Sequence, residues 1–145
     1  MTREEVKIEI PRIAKEWLHT PFVMNACCKG KGVDCARFVA GVFKEAGLIS
    51  KGYNPPPEHN DWVYGKDVNP DTFVNELLRF GDRISFEDRE PGDVISFYWM
   101  GIESHLGIII ERVTHMIHSV RGKEVIMHPI RIFMPNFCSV YRIRV

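Results

Sequence analysis

The chain has 145 residues, 45% of them hydrophobic, which suits one domain spanning 1–145 that builds a core without disulfide staples. Nineteen basic residues balance nineteen acidic ones, so the net charge is zero and the electrostatic footprint of a nucleic-acid or anionic-membrane binder is missing. The first residues, MTREEVKIEIPRIAKEW, mix both charges and hold no apolar block, so the chain reads as cytoplasmic as synthesised, without signal peptide or membrane span.

From Thr2 to His19, apolar residues at Val6, Ile10, Ile13, Ala14, Trp17 and Leu18 have helical spacing, and Pro11 implies that the helix either kinks or begins there. The segment TPFVMNACCKGKGV reads as a loop. Asp34 then caps a helix whose apolar side is Phe38, Val39, Val42, Phe43 and Ala46, and Gly47 stops it, so Cys35 falls in the first helical turn. Residues 51–70 read as an ordered surface loop carrying Tyr53, Trp62 and Tyr64, with the prolines at 55–57 forbidding helix or central strand. A short helix follows over 71–80 with Phe73, Val74, Leu77 and Leu78 inward.

Beyond it, β-branched and aromatic runs alternate with turn residues: DVISFYWM, HLGIIIERV, HMIHSV, EVIMHPI and SVYRIRV. Helices first and strands afterwards predict an α+β domain with N-terminal helices on a central antiparallel sheet of five to six strands. In the turn Pro91-Gly92-Asp93, Pro91 fixes φ, Gly92 takes the permissive conformation and Asp93 bonds back to the backbone, a structural role. Tyr98 and Trp99 are adjacent on a strand and should face opposite sides, one of them into the core.

Cys27, Cys28, Cys35 and Cys138 read as free thiols, since adjacent cysteines make a poor disulfide framework. The run ACCKGKGVDC lacks the ligand spacing of zinc ribbons or fingers, so no metal and no other cofactor is expected. At a helix N-terminus, the macrodipole and unpaired backbone N–H groups favour thiolate over thiol, and those N–H groups would also bind an oxyanion. Cys35 is therefore a candidate nucleophile, the alternative being a small buried core thiol. His105, at the entrance to a strand, is the candidate base, or else a surface histidine at a strand edge. If RVT forms the next hairpin turn, His118 returns beside His105 to orient its ring. His118 shares parity with Met116, whereas His115 points to the other face.

Three blocks, GVDCARFVAGVFKEAGL, EPGDVISF and SHLGIIIERVTHMIHS, resemble in content and order the signatures of the NlpC/P60 family of cell-wall cysteine peptidases, over Trp17 to Ser119. WLHTPF, the Tyr53 loop, Trp62 and YRIRV look similar to the short phage-encoded branch of that family. The resemblance implies a papain-like fold, with Cys35 as nucleophile, His105 as general base and His118 as the orienting third residue. It also implies hydrolysis of amide bonds in peptidoglycan stem peptides, usually the bond after γ-D-glutamate. A catalytic domain standing alone would reach the wall through a phage tail or a wall-targeting partner, or through high affinity of its own.

Three departures bear on specificity. Ala36 and Arg37 follow Cys35 where the family commonly has Ser-Gly, which places a charged side chain beside the cleft. Phe22 stands where family members often carry Tyr, so a hydroxyl near the nucleophile is absent, and Cys27 and Cys28 match no family role. These departures keep open an assembly or binding component with the same fold and little catalysis, or a hydrolase of another amide or ester.

Overall fold

Thr2 caps the first helix by accepting a hydrogen bond from the Glu5 N–H, and α1 (Arg3–Glu16) turns Val6, Ile10, Ile13 and Ala14 into the core. The computed structural model describes residues 1–56, 70–99 and 101–145, with backbone alone for 70–73. Trp62, Tyr64, Met100 and the side chain of Phe73 therefore lie outside the described residues. The first helix begins eight residues before Pro11 and continues through it. The ring removes one donor from the helical ladder, while its own side is buried against the core.

The loop after α1 contains a small hairpin, β1 (Cys27–Cys28) and β2 (Gly32–Val33). Asp34 then caps α2 (Cys35–Glu45), which buries Phe38, Val39, Val42 and Phe43 and ends where Gly47 takes a φ of 76°. Truncating a buried phenylalanine such as Phe38 costs about 3–5 kcal/mol, so this face fixes the helix on the sheet. Helix α3 (Pro70–Phe80) leads directly into the sheet. Among the described residues no helix is long and apolar enough to cross a membrane.

Six strands form one antiparallel sheet: β3 (Gly81–Ile84), β4 (Val94–Trp99), β5 (Ile102–Ile109), β6 (His115–Ser119), β7 (Val125–Pro129) and β8 (Phe137–Ile143). Their spatial order is β3-β8-β4-β5-β6-β7. One face, with Val94, Leu106, Ile108, Ile117 and Tyr141, packs on the helices. The other, with Ile95, Phe97, Ile109, Met116 and Val140, is covered by the 3-10 segment Ile130–Asn136. Strand β3 was not expected from the sequence, because GDRI is polar and pairs only at the sheet edge, with β8.

In the turn before β4, Gly92 adopts a φ of 91°, and a Cβ there would lie 3.0 Å from Val6 Cγ1, so the position demands glycine twice over. Fully buried Asp93 accepts the Glu90 N–H at 2.7 Å, as the turn reading expects. It also accepts Arg142 Nε at 3.0 Å and Arg142 Nη2 at 2.8 Å, tying the turn to β8. Replacing Asp93 with Ala removes these bonds together and is expected to lower the unfolding free energy by about 2–3 kcal/mol, measured by urea denaturation.

Candidate active site

The junction between β2 and α2 is held by one carboxylate. Asp34, fully buried, accepts the Arg37 N–H at 2.8 Å, the Asn25 N–H at 2.7 Å and Arg37 Nη1 at 2.9 Å. The next residue, Cys35, is buried at the first position of α2, and its Sγ lies 3.5 Å from the Ser104 carbonyl oxygen. Ser104 is the extra residue of a β-bulge: Phe97 pairs with His105, whereas Tyr98 pairs with Glu103.

Strands β5 and β6 pair at Ile108/Ile117 and Ile109/Met116 and then part. The Val33–Cys35 junction enters that gap, with Ser119 Oγ donating to the Val33 carbonyl at 2.7 Å on one side and Ser104 on the other. Extending the register sets His118 opposite Gly107, so that His105 and His118 are diagonal neighbours on one face. His105 Nε2 lies 2.7 Å from His118 Nδ1. Gly107 makes this approach possible, since a Cβ there would come within 2.8 Å of Met116 Sδ and 3.4 Å of His118 Cβ.

Cys35 and His105 line the same cleft of about 240 Å³, with Phe22, Phe97, Trp99 and Phe133 as aromatic walls and Arg121 as the charged lining residue. With its Nε2 engaged by His118, the His105 ring keeps Nδ1 as the nitrogen outside that bond. A sulfur at a helix N-terminus that shares a cleft with an oriented imidazole is an arrangement suited to thiol acyl-transfer chemistry.

The NlpC/P60 domain of the peptidoglycan hydrolase SagA superposes with a TM-score of 0.65 at 17% identity, over 94% of this chain and 98% of that one. A Staphylococcus aureus protein described as similar to lipoprotein, NLP/P60 family, gives 0.67 at 20% identity, over 100% of this chain and 43% of that one. The P60 domain of an antigen from M. avium subspecies paratuberculosis gives 0.64 at 17% identity, over 98% of each chain. No protein-family model and no curated protein matches the sequence. The chain has the NlpC/P60 fold.

Within that fold, the three residues singled out from the sequence occupy adjoining positions: Cys35 and His105 in one cleft, His118 behind His105. His115 instead meets Thr114 Oγ1 at 2.9 Å on the other side of the strand. Arg37 does not project beside the cleft. It turns inward, 8% exposed, because its guanidinium joins Asp34 to the Pro55 carbonyl, 2.9 Å from Nη2. Neither Tyr98 nor Trp99 is core, since the bulge and the end of β4 leave them 45% and 50% exposed at the cleft. Tyr53 packs on Phe80, ring centroids 4.7 Å apart, and its hydroxyl bonds to Glu76. Cys27 and Cys28 are exposed thiols on β1, and among the described residues no group of three or more His, Cys, Asp or Glu side chains is placed to hold a metal ion.

Sequence reasoning missed His128. It lies on β7, diagonal to His118 across the β6–β7 pair, and its Nδ1 is 2.8 Å from His118 Nε2. The signal was available: a tight turn at Arg121-Gly122 gives His128 the same parity as His118.

Burial pushes the His105 pKa from 6.5 down to about 4. His118, fully buried, is also lowered, by desolvation first and then by the neighbouring His105 and His128. Above pH 6.5 both folded and unfolded chains keep the His105 ring neutral. Below it the unfolded chain takes up a proton that the folded ring refuses until about pH 4, so stability is lost across that interval as pH falls. Urea midpoints should decline over this range, the His105 share approaching ~3 kcal/mol, with a shallower decline in His105→Gln.

Proposed function

We propose that this protein is a thiol hydrolase of peptidoglycan stem peptides, cleaving an amide bond next to γ-D-glutamate. The observation that carries the reading is the continuity of the site: Cys35 and His105 line one cleft, and His105 Nε2 reaches His118 Nδ1 at 2.7 Å. Support for the substrate comes from the fold shared with a domain of a peptidoglycan hydrolase and from the sequence blocks around these residues. The likeness of WLHTPF and YRIRV to short phage-encoded members supports delivery by a tail or wall-targeting partner.

In the mechanism, neutral His105 takes the Cys35 thiol proton on Nδ1 as Sγ attacks the amide carbonyl carbon. Backbone N–H groups in the first turn of α2 donate to the oxyanion, which has no phenol to help it because residue 22 is Phe. The imidazolium gives its proton to the leaving nitrogen, the C–N bond breaks, and a thioester to Cys35 remains. His105 then deprotonates a water that attacks the thioester, releasing the acid and restoring the thiol. His118 keeps the ring of His105 in plane throughout.

Digestion of purified peptidoglycan should release muropeptides, identified by mass, with new ends beside glutamate. Cys35→Ser and His105→Ala should each lower activity by about 10³-fold or more, and the double variant little further, because the pair acts as one unit. Hydrolysis surviving in Cys35→Ala would overturn the proposal. Iodoacetamide should label Cys35 much faster than Cys138 at mildly acidic pH, the advantage disappearing as pH falls through about 4 and His105 takes up its proton.

A further inference from the structure

We propose that His128 is a positioning residue of this site, which fixes the tautomer of His118 and through it leaves Nδ1 of His105 unprotonated to act as base. The inference rests on the hydrolase reading for the role of His105, and on two hydrogen bonds for its own content. His105 Nε2 meets His118 Nδ1 at 2.7 Å, and His118 Nε2 meets His128 Nδ1 at 2.8 Å. Each bond holds one proton, so the neutral chain has two ordered states. With His128 Nδ1 accepting, His118 carries its proton on Nε2, its Nδ1 accepts from His105 Nε2–H, and His105 Nδ1 is a bare lone pair. In the reverse order every proton moves to Nδ1, and the nitrogen offered to the thiol is already protonated.

His128 selects the first order because of where it sits. His118 is fully buried, so without a partner its Nε2–H would go unsatisfied, at a penalty of about 1–3 kcal/mol. The ring would then prefer to protonate Nδ1 and donate to His105, reversing the chain. His128 is half-buried at the outer end of the row, so its side chain, unlike that of His118, is partly open to solvent. Burial, and after it the charge of Lys123, lower the His128 pKa, which keeps the ring neutral near neutrality, so that Nδ1 is able to accept when the proton sits on Nε2. Phe133 holds both rings, its centroid 5.0 Å from that of His118 and 5.5 Å from that of His128.

Ring-nitrogen NMR of the full chain labelled with ¹⁵N-histidine is the direct test. All three rings should carry their proton on Nε2 at neutral pH, and a wild-type His118 protonated on Nδ1 would overturn the proposal without any variant. His128→Leu should switch His105 and His118 to the Nδ1–H form and slow Cys35 alkylation by about 10–100-fold, the range typical of a lost orienting partner. His128→Gln, whose carbonyl can accept from His118 Nε2–H, should return the wild-type tautomers and most of the rate. A folded His128→Leu protein with wild-type tautomers and alkylation would also overturn it. Should wild-type Cys35 label no faster than Cys138, the hydrolase reading fails, while the ring spectra still decide the tautomer.

Discussion

The buried carboxylate of Asp34 is the constraint on which the placement of Cys35 depends. It reaches the loop before the helix through the Asn25 N–H, the first turn of α2 through the Arg37 N–H, and the segment after the helix through Arg37, whose second nitrogen bonds the Pro55 carbonyl. A buried ion pair is weak evidence for net stability, because desolvation offsets most of its Coulombic gain. Its value here is geometric. An unpaired charge at this depth is prohibitive, so the three segments must converge, and the residue after Asp34 is fixed with them.

The sheet has to meet that fixed sulfur, and it does so by opening. Antiparallel strands normally share a ladder along their length, yet β5 and β6 pair at two positions and part where the helix junction enters. The carbonyl and hydroxyl groups exposed by the parting are used: Ser104 O faces the Cys35 thiol and Ser119 Oγ bonds Val33 O. The opening also explains how His105, on the face away from the helices, comes to share a cleft with a residue on a helix. His105, next to the bulge at Ser104, lies within the separated stretch, and Gly107 lets His118 approach close behind it.

What could be read from the sequence follows from the range of the interactions involved. Asp34 as a cap, Gly92 at positive φ, and the common face of His118 and Met116 are set by residues within a few positions, and each was legible. The continuation of α1 through Pro11 depends on burial against the core, which overrides the local cost of the ring. The inward turn of Arg37 depends on a carbonyl 18 residues away, and β3 exists only because β8 returns beside it, 58 residues from Arg83 to its partner Tyr141. The exposure of Tyr98 and Trp99 depends on a bulge that alternation does not announce. His128 lay between these cases: its parity was legible, but its meaning required knowing that His118 was already engaged.

The row of imidazoles has an electrostatic consequence that an acidic orienting residue would not share. A carboxylate behind the base would carry a fixed negative charge and raise the proton affinity of His105 throughout. A neutral ring offers direction without charge, and burial lowers the proton affinity of His105 and, further in, of His118. The proposed chemistry therefore starts from a neutral imidazole, and positive charge arises at His105 only while the thiolate or the oxyanion stands beside it. Phe22, Phe97 and Phe133 line that side of the cleft, and their apolar rings lower the local polarity, so the attraction of the pair is stronger than it would be in bulk solvent. In that proposed chemistry the charged arrangement is favoured chiefly at the moment of reaction, when the opposing negative charge is on the substrate or the sulfur.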